Sequence, residues 1–171
     1  MPTTTATKFQ PQPATLQHAN ARLLRRYADW ADYMLTVTFK PGAFGQMPNI
    51  DQVHAELRYL SCTLNAAIWH NKTRFNEKCQ ILFIPVVEGA KSETRIHAHI
   101  LLGNVKDKQT VDDFMQNYVR CKARWLAERY DISEVTNADG VCWYLAKETN
   151  RENEDAVAWQ LASIPKQLLP R

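Results

Sequence analysis

Apolar residues recur at steps of three and four positions in several stretches of the chain, which is the spacing of one face of an α-helix. The clearest stretch follows Asn49, which forms a capping-box pattern with Gln52 and so marks a helix start. Its apolar positions are Ile50, Val53, Leu57, Leu60, Leu64 and Ile68. Leu16, Leu23, Tyr27 and Trp30 recur at roughly the same spacing and predict a first helix over residues 16–30. Further helices are predicted over about 111–130, 141–149 and 152–162.

Between these helices, apolar residues either alternate with polar ones or run together over a few positions, as they do in β-strands. Strands are predicted at 33–40, 79–88, 95–102 and 132–136. Pro85 has no amide hydrogen to give to a neighbouring strand, so the second strand is expected at a sheet edge or a bulge. A short polar turn joins the second strand to the third, and we predict that the two form a β-hairpin.

The predicted elements follow the order helix, strand, helix, strand, strand, helix, strand, helix. This order suits an α+β architecture in which helices pack on one face of an antiparallel sheet. Residues 1–13 are polar and rich in Pro and Thr, so we expect a disordered tail there. The length then predicts a single domain over residues 14–171.

The amino-acid composition excludes few classes of function. The chain of 171 residues is 45% hydrophobic and 23% charged, as in ordinary globular proteins, and its net charge of +3 does not by itself indicate a nucleic-acid partner. The four cysteines are far apart and form no CxxC pair, so we expect reduced thiols rather than a zinc ribbon or disulfides. No signal-peptide or membrane-spanning pattern is present, so we expect no membrane partner and a cytoplasmic location.

The most specific chemical pattern is His97-Ala98-His99 in the third predicted strand. Residues two apart share a strand face, so both imidazoles point away from the core, and the hairpin returns Glu88 beside them. Two histidines and a carboxylate can hold a divalent metal, Mg²⁺ or Mn²⁺, with positions open to a substrate oxygen. Glu93, in the turn, is a second carboxylate candidate. The alternative is a pair of polar residues on the wet face of a half-buried strand.

A second pattern, VCWYLAK at 141–147, places Tyr144 and Lys147 on one face of the predicted short helix. A tyrosine hydroxyl is a weak nucleophile near neutral pH, but it becomes effective when a metal polarises the target phosphate and a cation balances the charge. We therefore predict Tyr144 as a nucleophile and Lys147 as that cation. Trp143 and Leu145 are expected to face elsewhere and anchor the helix. The alternative is a packed tyrosine beside a surface lysine.

Together these patterns resemble the HUH endonuclease superfamily, and within it the replication-initiator branch. Three motifs match in order: a strand of hydrophobic and Thr residues at 35–39 (LTVTF), His-hydrophobic-His at 97–99, and YxxK at 144–147. The initiators also place an acidic ligand shortly before the histidines, where Glu88 lies. The resemblance covers about residues 33–150.

The resemblance implies an RRM-like (ferredoxin-like) antiparallel sheet of about five strands flanked by helices, with the metal on one sheet face and the tyrosine on a helix above it. It implies metal-dependent nicking and joining of single-stranded DNA, or of a hairpin origin, through a 5′-phosphotyrosine intermediate that starts rolling-circle replication of a plasmid or virus. There is one candidate nucleophile rather than a tyrosine pair. No Walker A pattern occurs, so a helicase would be a separate partner, or the chain is a minimal nuclease.

Other functions remain compatible with the sequence. Single-tyrosine transposases and relaxases of the same superfamily are the nearest rivals, although such transposases usually lack the YxxK pairing. A non-catalytic module that binds origin DNA is a further alternative, and it predicts that His97, His99 and Tyr144 lie scattered in space. The last is a structural or interaction domain with a chance HxH.

Overall fold

The computed structural model describes residues 15–42, 44–70, 72, 79–89, 95–147, 149 and 156–168. The described residues form four α-helices and four β-strands in the predicted order. In chain order these are α1 (Leu16–Ala28), β1 (Tyr33–Phe39), α2 (Ile50–Trp69), β2 (Leu82–Glu88), β3 (His97–Gly103), α3 (Lys108–Cys121), β4 (Leu126–Glu134) and α4 (Ala138–Ala146). The predicted tail at 1–13, Glu93 and residues 152–155 of the last predicted helix lie outside the described residues.

The four strands form one antiparallel sheet in the order β2-β3-β1-β4. The predicted α+β class is therefore confirmed, but the described residues give four strands where about five were expected. Beyond β4, the chain returns to the outer edge of β2, where Phe83 pairs with Ser163 and Val86 with Val157 as isolated bridges. Pro85 lies in this edge strand, as its missing amide predicts.

Helices cover both faces of the sheet, so the expectation of helices on one face only is wrong. Helices α2 and α3 pack on one face over the larger core, α1 and α4 pack on the other, and the segment 156–162 at the sheet edge contributes side chains to both cores. The reason lies in β2, where every residue is buried and both faces are apolar, so each face needs a cover. None of the described helices combines the length and apolar character that crossing a bilayer requires.

The start of α2 is as predicted. The side chain of Asn49 accepts the amide hydrogen of Gln52 at 2.9 Å, and the Gln52 side chain accepts that of Asn49 at 2.9 Å. These two bonds satisfy backbone donors that the helix itself leaves free. Every apolar position of the predicted stripe is buried except Ile50, which is exposed at the first turn.

Three predicted boundaries are wrong. Helix α3 ends at Cys121 rather than near residue 130, and the chain then turns into β4, which is longer than the strand expected at 132–136. At 156–162, only a 3₁₀ turn forms, at Trp159–Leu161. In α1 the buried stripe is not the predicted one: Leu24 and Ala28 are buried with Tyr27. The predicted stripe members left exposed are Leu16, Leu23 and Trp30.

Candidate metal centre and nucleophile

The β2–β3 hairpin brings Glu88 and the histidine pair together. Glu88 lies directly opposite His97 in the strand register, and its Oε2 atom is 3.0 Å from His97 Nε2. His99 lies two residues further along β3, on the same strand face as His97. Its Nε2 atom is 3.6 Å from Glu88 Oε1. The predicted hairpin and its return of Glu88 to the histidines are therefore confirmed. The two imidazole nitrogens and the carboxylate lie within 4.8 Å of one another.

The hydrogen bonds around this group suit a cation. A backbone carbonyl can only accept, so His97 Nδ1, 3.1 Å from the Arg95 oxygen, must donate its proton there. In the neutral ring the Nε2 lone pair then faces a carboxylate oxygen, and a proton or a metal ion has to lie between them. The Oε1 atom of Glu88 is buried and has no hydrogen-bond partner among the described residues. Glu88, His97 and His99 could therefore hold a metal ion.

The surroundings of His99 favour its neutral form, which is the form that can bind a metal ion. It is buried, and its Nδ1 atom lies 2.9 Å from the Oγ1 atom of Thr36 on β1, which leaves Nε2 turned toward Glu88. Burial lowers the pKa of His99, and this outweighs the opposite effect of the Glu88 charge. Metal-binding histidines commonly bond their second nitrogen to such a supporting group, which fixes the tautomer and the ring orientation.

Sequence analysis missed this role of Thr36. The residue belongs to the LTVTF motif, and its position on the polar face of β1 was visible from the alternation. What could not be read was the register, which places Thr36 directly opposite His99. The signal that could have indicated the role of Thr36 is a hydroxyl side chain on the strand that pairs with the HxH strand.

Thr36→Val should weaken metal binding by about 10- to 100-fold, because it removes the hydrogen bond that orients His99 and keeps the side-chain volume. Calorimetric titration with Mn²⁺ measures the change. Thr38→Val is the matched control, since Thr38 lies on the same strand face and makes no hydrogen bond to either imidazole in the described part of the chain. Equal effects of the two substitutions would contradict the supporting role of Thr36.

Helix α4 carries Tyr144 to the same place. The helix starts at Asn137, whose side chain accepts the amide hydrogen of Gly140 at 3.0 Å, and Arg25 of α1 binds Asp139 in the first turn. One and a half turns later, the Tyr144 hydroxyl lies 3.3 Å from His99 Nε2. Tyr144 is 43% exposed, so its side chain reaches solvent while its hydroxyl contacts the candidate metal site.

Lys147, at the end of α4, completes the group. Its Nζ atom lies 3.4 Å from Glu88 Oε2 and 4.0 Å from the centre of the Tyr144 ring. Burial works to lower the pKa of Lys147, but the Glu88 carboxylate and Tyr144 outweigh it, so the pKa is raised and the ammonium stays charged. The five residues predicted from the sequence thus meet in one place.

The two neighbours of Tyr144 behave differently. Leu145 is fully buried in the core beneath α1 and α4, as expected. Trp143 is 48% exposed and meets only the edge of the His18 ring among the aromatic contacts described, at 5.0 Å between ring centres, so the expectation that it anchors the helix is wrong.

The sheet face that carries the metal centre is covered only in part. Helices α1 and α4 pack over β2 and β3, and the histidines lie at the border of that cover. On the β1 side, Thr36 and Thr38 are half-buried, and Asp131, opposite Thr36 on β4, is exposed. The sequence suggested that both histidines lie on an exposed sheet face, but His99 is buried, and only His97 and Tyr144 are partly exposed.

No family model, curated protein or solved structure matches this chain.

Proposed function

We propose that this protein is a metal-dependent endonuclease and strand transferase that cuts single-stranded DNA with Tyr144 as the nucleophile. The observation that carries the proposal is the contact between the Tyr144 hydroxyl and His99 Nε2 at 3.3 Å, at a group of three convergent ligand atoms. A tyrosine in contact with a ligand of the metal centre, half open to solvent and next to a charged lysine, is the set that phosphodiester transfer to tyrosine needs.

Glu88, His97 and His99 would hold the metal, and their mixed nitrogen and oxygen ligation suits Mn²⁺ or Mg²⁺. When bound, the ion would act as a Lewis acid on a phosphate oxygen of the substrate. Lys147 supplies a fixed positive charge beside Tyr144, where negative charge grows as the phosphate is attacked. Helix α4 already orients the Tyr144 hydroxyl, so little conformational entropy is lost when the substrate binds.

In the cutting step, a bond forms between the Tyr144 oxygen and phosphorus while the bond from phosphorus to the 3′ oxygen breaks. The phenolic proton leaves to solvent, and the departing 3′ oxygen takes up a proton from water. The products are a phosphotyrosine ester at the 5′ end of the cut strand and a free 3′ hydroxyl. The ester keeps the type of bond that was broken, so the reverse reaction rejoins strands without a nucleotide cofactor.

A free 3′ hydroxyl can prime DNA synthesis, so the reaction fits the start of rolling-circle replication, with a separate helicase to open the origin. The order β1-α2-β2-β3-α3-β4 and the strand order β2-β3-β1-β4 support the RRM-like arrangement that the resemblance to replication initiators implies. The non-catalytic alternative expects His97, His99 and Tyr144 to lie apart, and their close approach weighs against it.

We expect covalent adducts with single-stranded DNA and not with relaxed duplex. A scissile phosphate must reach a centre bordered by α4, and a stiff duplex would hold it away. The experiment incubates the protein and Mn²⁺ with 3′-labelled oligonucleotides that carry a randomised segment, as single strands, as hairpins and as blunt duplexes. A slowly migrating labelled band on a denaturing gel, at least about tenfold weaker with duplex, is the expected result. Efficient duplex cutting, or no adduct with any substrate, would contradict the proposal.

Lys147→Ala should slow cutting by about 100-fold while single-strand affinity falls by less than about tenfold, because the ammonium acts on charge that develops during the reaction. Mn²⁺ affinity should stay equal or rise, since the substitution removes a cation next to Glu88. Single-turnover rates, fluorescence anisotropy and calorimetry give the three quantities. Lys106→Ala, at an exposed lysine beyond the far end of β3, is the charge-matched control. Equal losses of rate and affinity would instead make Lys147 a plain phosphate contact.

A further inference from the structure

The loop between β1 and α2 holds an aromatic ring fully in solvent. Phe44 is 98% exposed and so contributes nothing to the core. Backbone bonds nevertheless join described residues on either side of it: Gly42 donates to the Gln46 carbonyl at 2.9 Å, and Gly45 donates to the Gly42 carbonyl at 3.0 Å. Gly45 has φ +76°, which other residues rarely adopt. The chain therefore holds an apolar ring in water on a tight turn.

A second ring lies next to this loop. Trp125, just before β4, lines a hollow of about 360 Å³ together with Gly42, Phe44, Gln46 and Arg124. The Arg124 guanidinium lies over the Trp125 ring, 5.3 Å from its centre. Gly42 leaves room for that ring, since a Cβ atom there would lie 2.8 Å from it. The lining combines two aromatic rings, a fixed cation and an amide, without an acidic side chain.

The hollow lies at the same end of the sheet as the metal centre. His97 is opposite Thr38 on β1, and two residues further along the chain, just past the end of β1, the amide of Lys40 donates to the Trp125 carbonyl at 2.8 Å. One strand, β1, separates β3 from β4, and adjacent strands lie about 4.8 Å apart. The Trp125 backbone is therefore on the order of 10 Å from that of His97, a distance that a few linked nucleotides can span.

We propose that this hollow binds an unpaired base of the DNA strand whose phosphate reaches Tyr144. Bases of single strands stack on exposed aromatic side chains and on arginine, and the stacking tolerates any sequence because every base has a flat face. Arg124 can also attract the phosphate beside the stacked base. The inference rests on the proposed function for the choice of strand, whereas base stacking itself can be tested without any cutting.

The experiment measures binding of single-stranded oligonucleotides in the Tyr144→Phe background with Mn²⁺, so that no adduct forms. The fluorescent base 2-aminopurine is placed at one position after another, because its emission falls when it stacks. One position should show a drop that Phe44→Ala removes. Phe44→Ala should also weaken affinity by about 5- to 150-fold, and Phe44→Tyr, which keeps the ring, should restore both signals.

Salt dependence separates stacking from charge. Phe44→Ala should weaken binding at every salt concentration without changing the slope of affinity against salt, whereas Arg124→Gln should reduce that slope by about 0.7. Trp30→Ala is the matched control, since Trp30 is 58% exposed outside the hollow and its loss should change neither signal.

The outcomes distinguish the two proposals. Stacking that depends on Phe44, together with a wild-type protein that forms no adduct with any single strand, would support the base site and contradict the nuclease. Adduct formation with an unchanged 2-aminopurine profile and affinity in Phe44→Ala would overturn the base site alone. A shift of Phe44→Ala from dimer to monomer in sedimentation, with DNA affinity unchanged, would also overturn it and assign the ring to a second copy of the chain.

Discussion

Tyr144→Phe is expected to abolish both the covalent adduct and the nick, with a rate loss of at least about 10³-fold, as when an enzyme loses its nucleophile. The substitution removes one oxygen atom from a half-exposed side chain, so the fold and the ring contacts with His99 and Lys147 should remain. The assay uses the 3′-labelled single strands, and thermal unfolding of the variant checks that stability is unchanged. A variant that still nicks without an adduct would mean that water, not tyrosine, is the nucleophile.

Two other tyrosines, Tyr118 and Tyr130, give the matched controls. The Tyr118 hydroxyl donates to buried Glu56 at 2.8 Å, and burial together with that carboxylate raises the pKa of Tyr118 well above its ordinary value. Tyr130 donates to Asp112 at 2.7 Å, and burial and the carboxylate raise its pKa to about 12. Neither should attack a phosphate, so Tyr130→Phe should keep full activity. An adduct that peptide mapping places on Tyr118 or Tyr130 would overturn the assignment.

The double variant His97→Ala/His99→Ala is expected to lose Mn²⁺ binding by more than about 100-fold, which exceeds the loss of a supporting residue, and to lose cutting with it. Both side chains leave the face of β3 opposite to the one that packs on α2 and α3, so circular dichroism should show an intact fold. Calorimetry measures the affinity, and the single-strand assay measures cutting.

Two further variants sharpen this test. Glu88→Gln keeps the shape of the buried carboxylate and removes its charge, so it should also lose metal affinity. His18→Ala removes an exposed histidine that contacts Trp143 rather than the metal centre, and it should bind Mn²⁺ like the wild type. A double variant that cuts DNA at the normal rate in the same metal would disprove the assignment of the ligands.

Features that depend only on residues close together in the sequence were predicted correctly. The α2 start follows from two side chains three residues apart, and the β2–β3 hairpin follows from a short polar turn between two apolar runs. Because a hairpin fixes which residues face each other, the contact between Glu88 and His97 could be read before any fold was known. The shared helix face of Tyr144 and Lys147 is equally local.

The features that were not predicted depend on contacts between residues far apart in the sequence. The end of α3 depends on Glu56, far away on α2, whose Oε2 atom accepts the amide hydrogens of Arg124 and Trp125 at 3.2 Å each and whose Oε1 atom binds Tyr118. No pattern within residues 108–130 could reveal that partner, and the apolar spacing simply continued. The contact of Thr36 with His99 likewise needed the β1–β3 register, and that of Lys147 with Glu88 needed the packing of α4 on the sheet.

The return of the chain to the edge of β2 affects how the protein folds during its synthesis. The amide of Val87, next to Glu88, donates to the Ala156 carbonyl at 2.7 Å, and Phe83 exchanges two backbone bonds with Ser163. On the ribosome, the strand that carries Glu88 emerges long before these partners, so its outer edge stays unpaired until residues 156–163 have been synthesised. Such late, sequence-distant pairing slows folding and leaves an apolar edge open to other chains in the meantime. The nascent protein should therefore hold Glu88 in a fixed position only after residue 163 has left the exit tunnel.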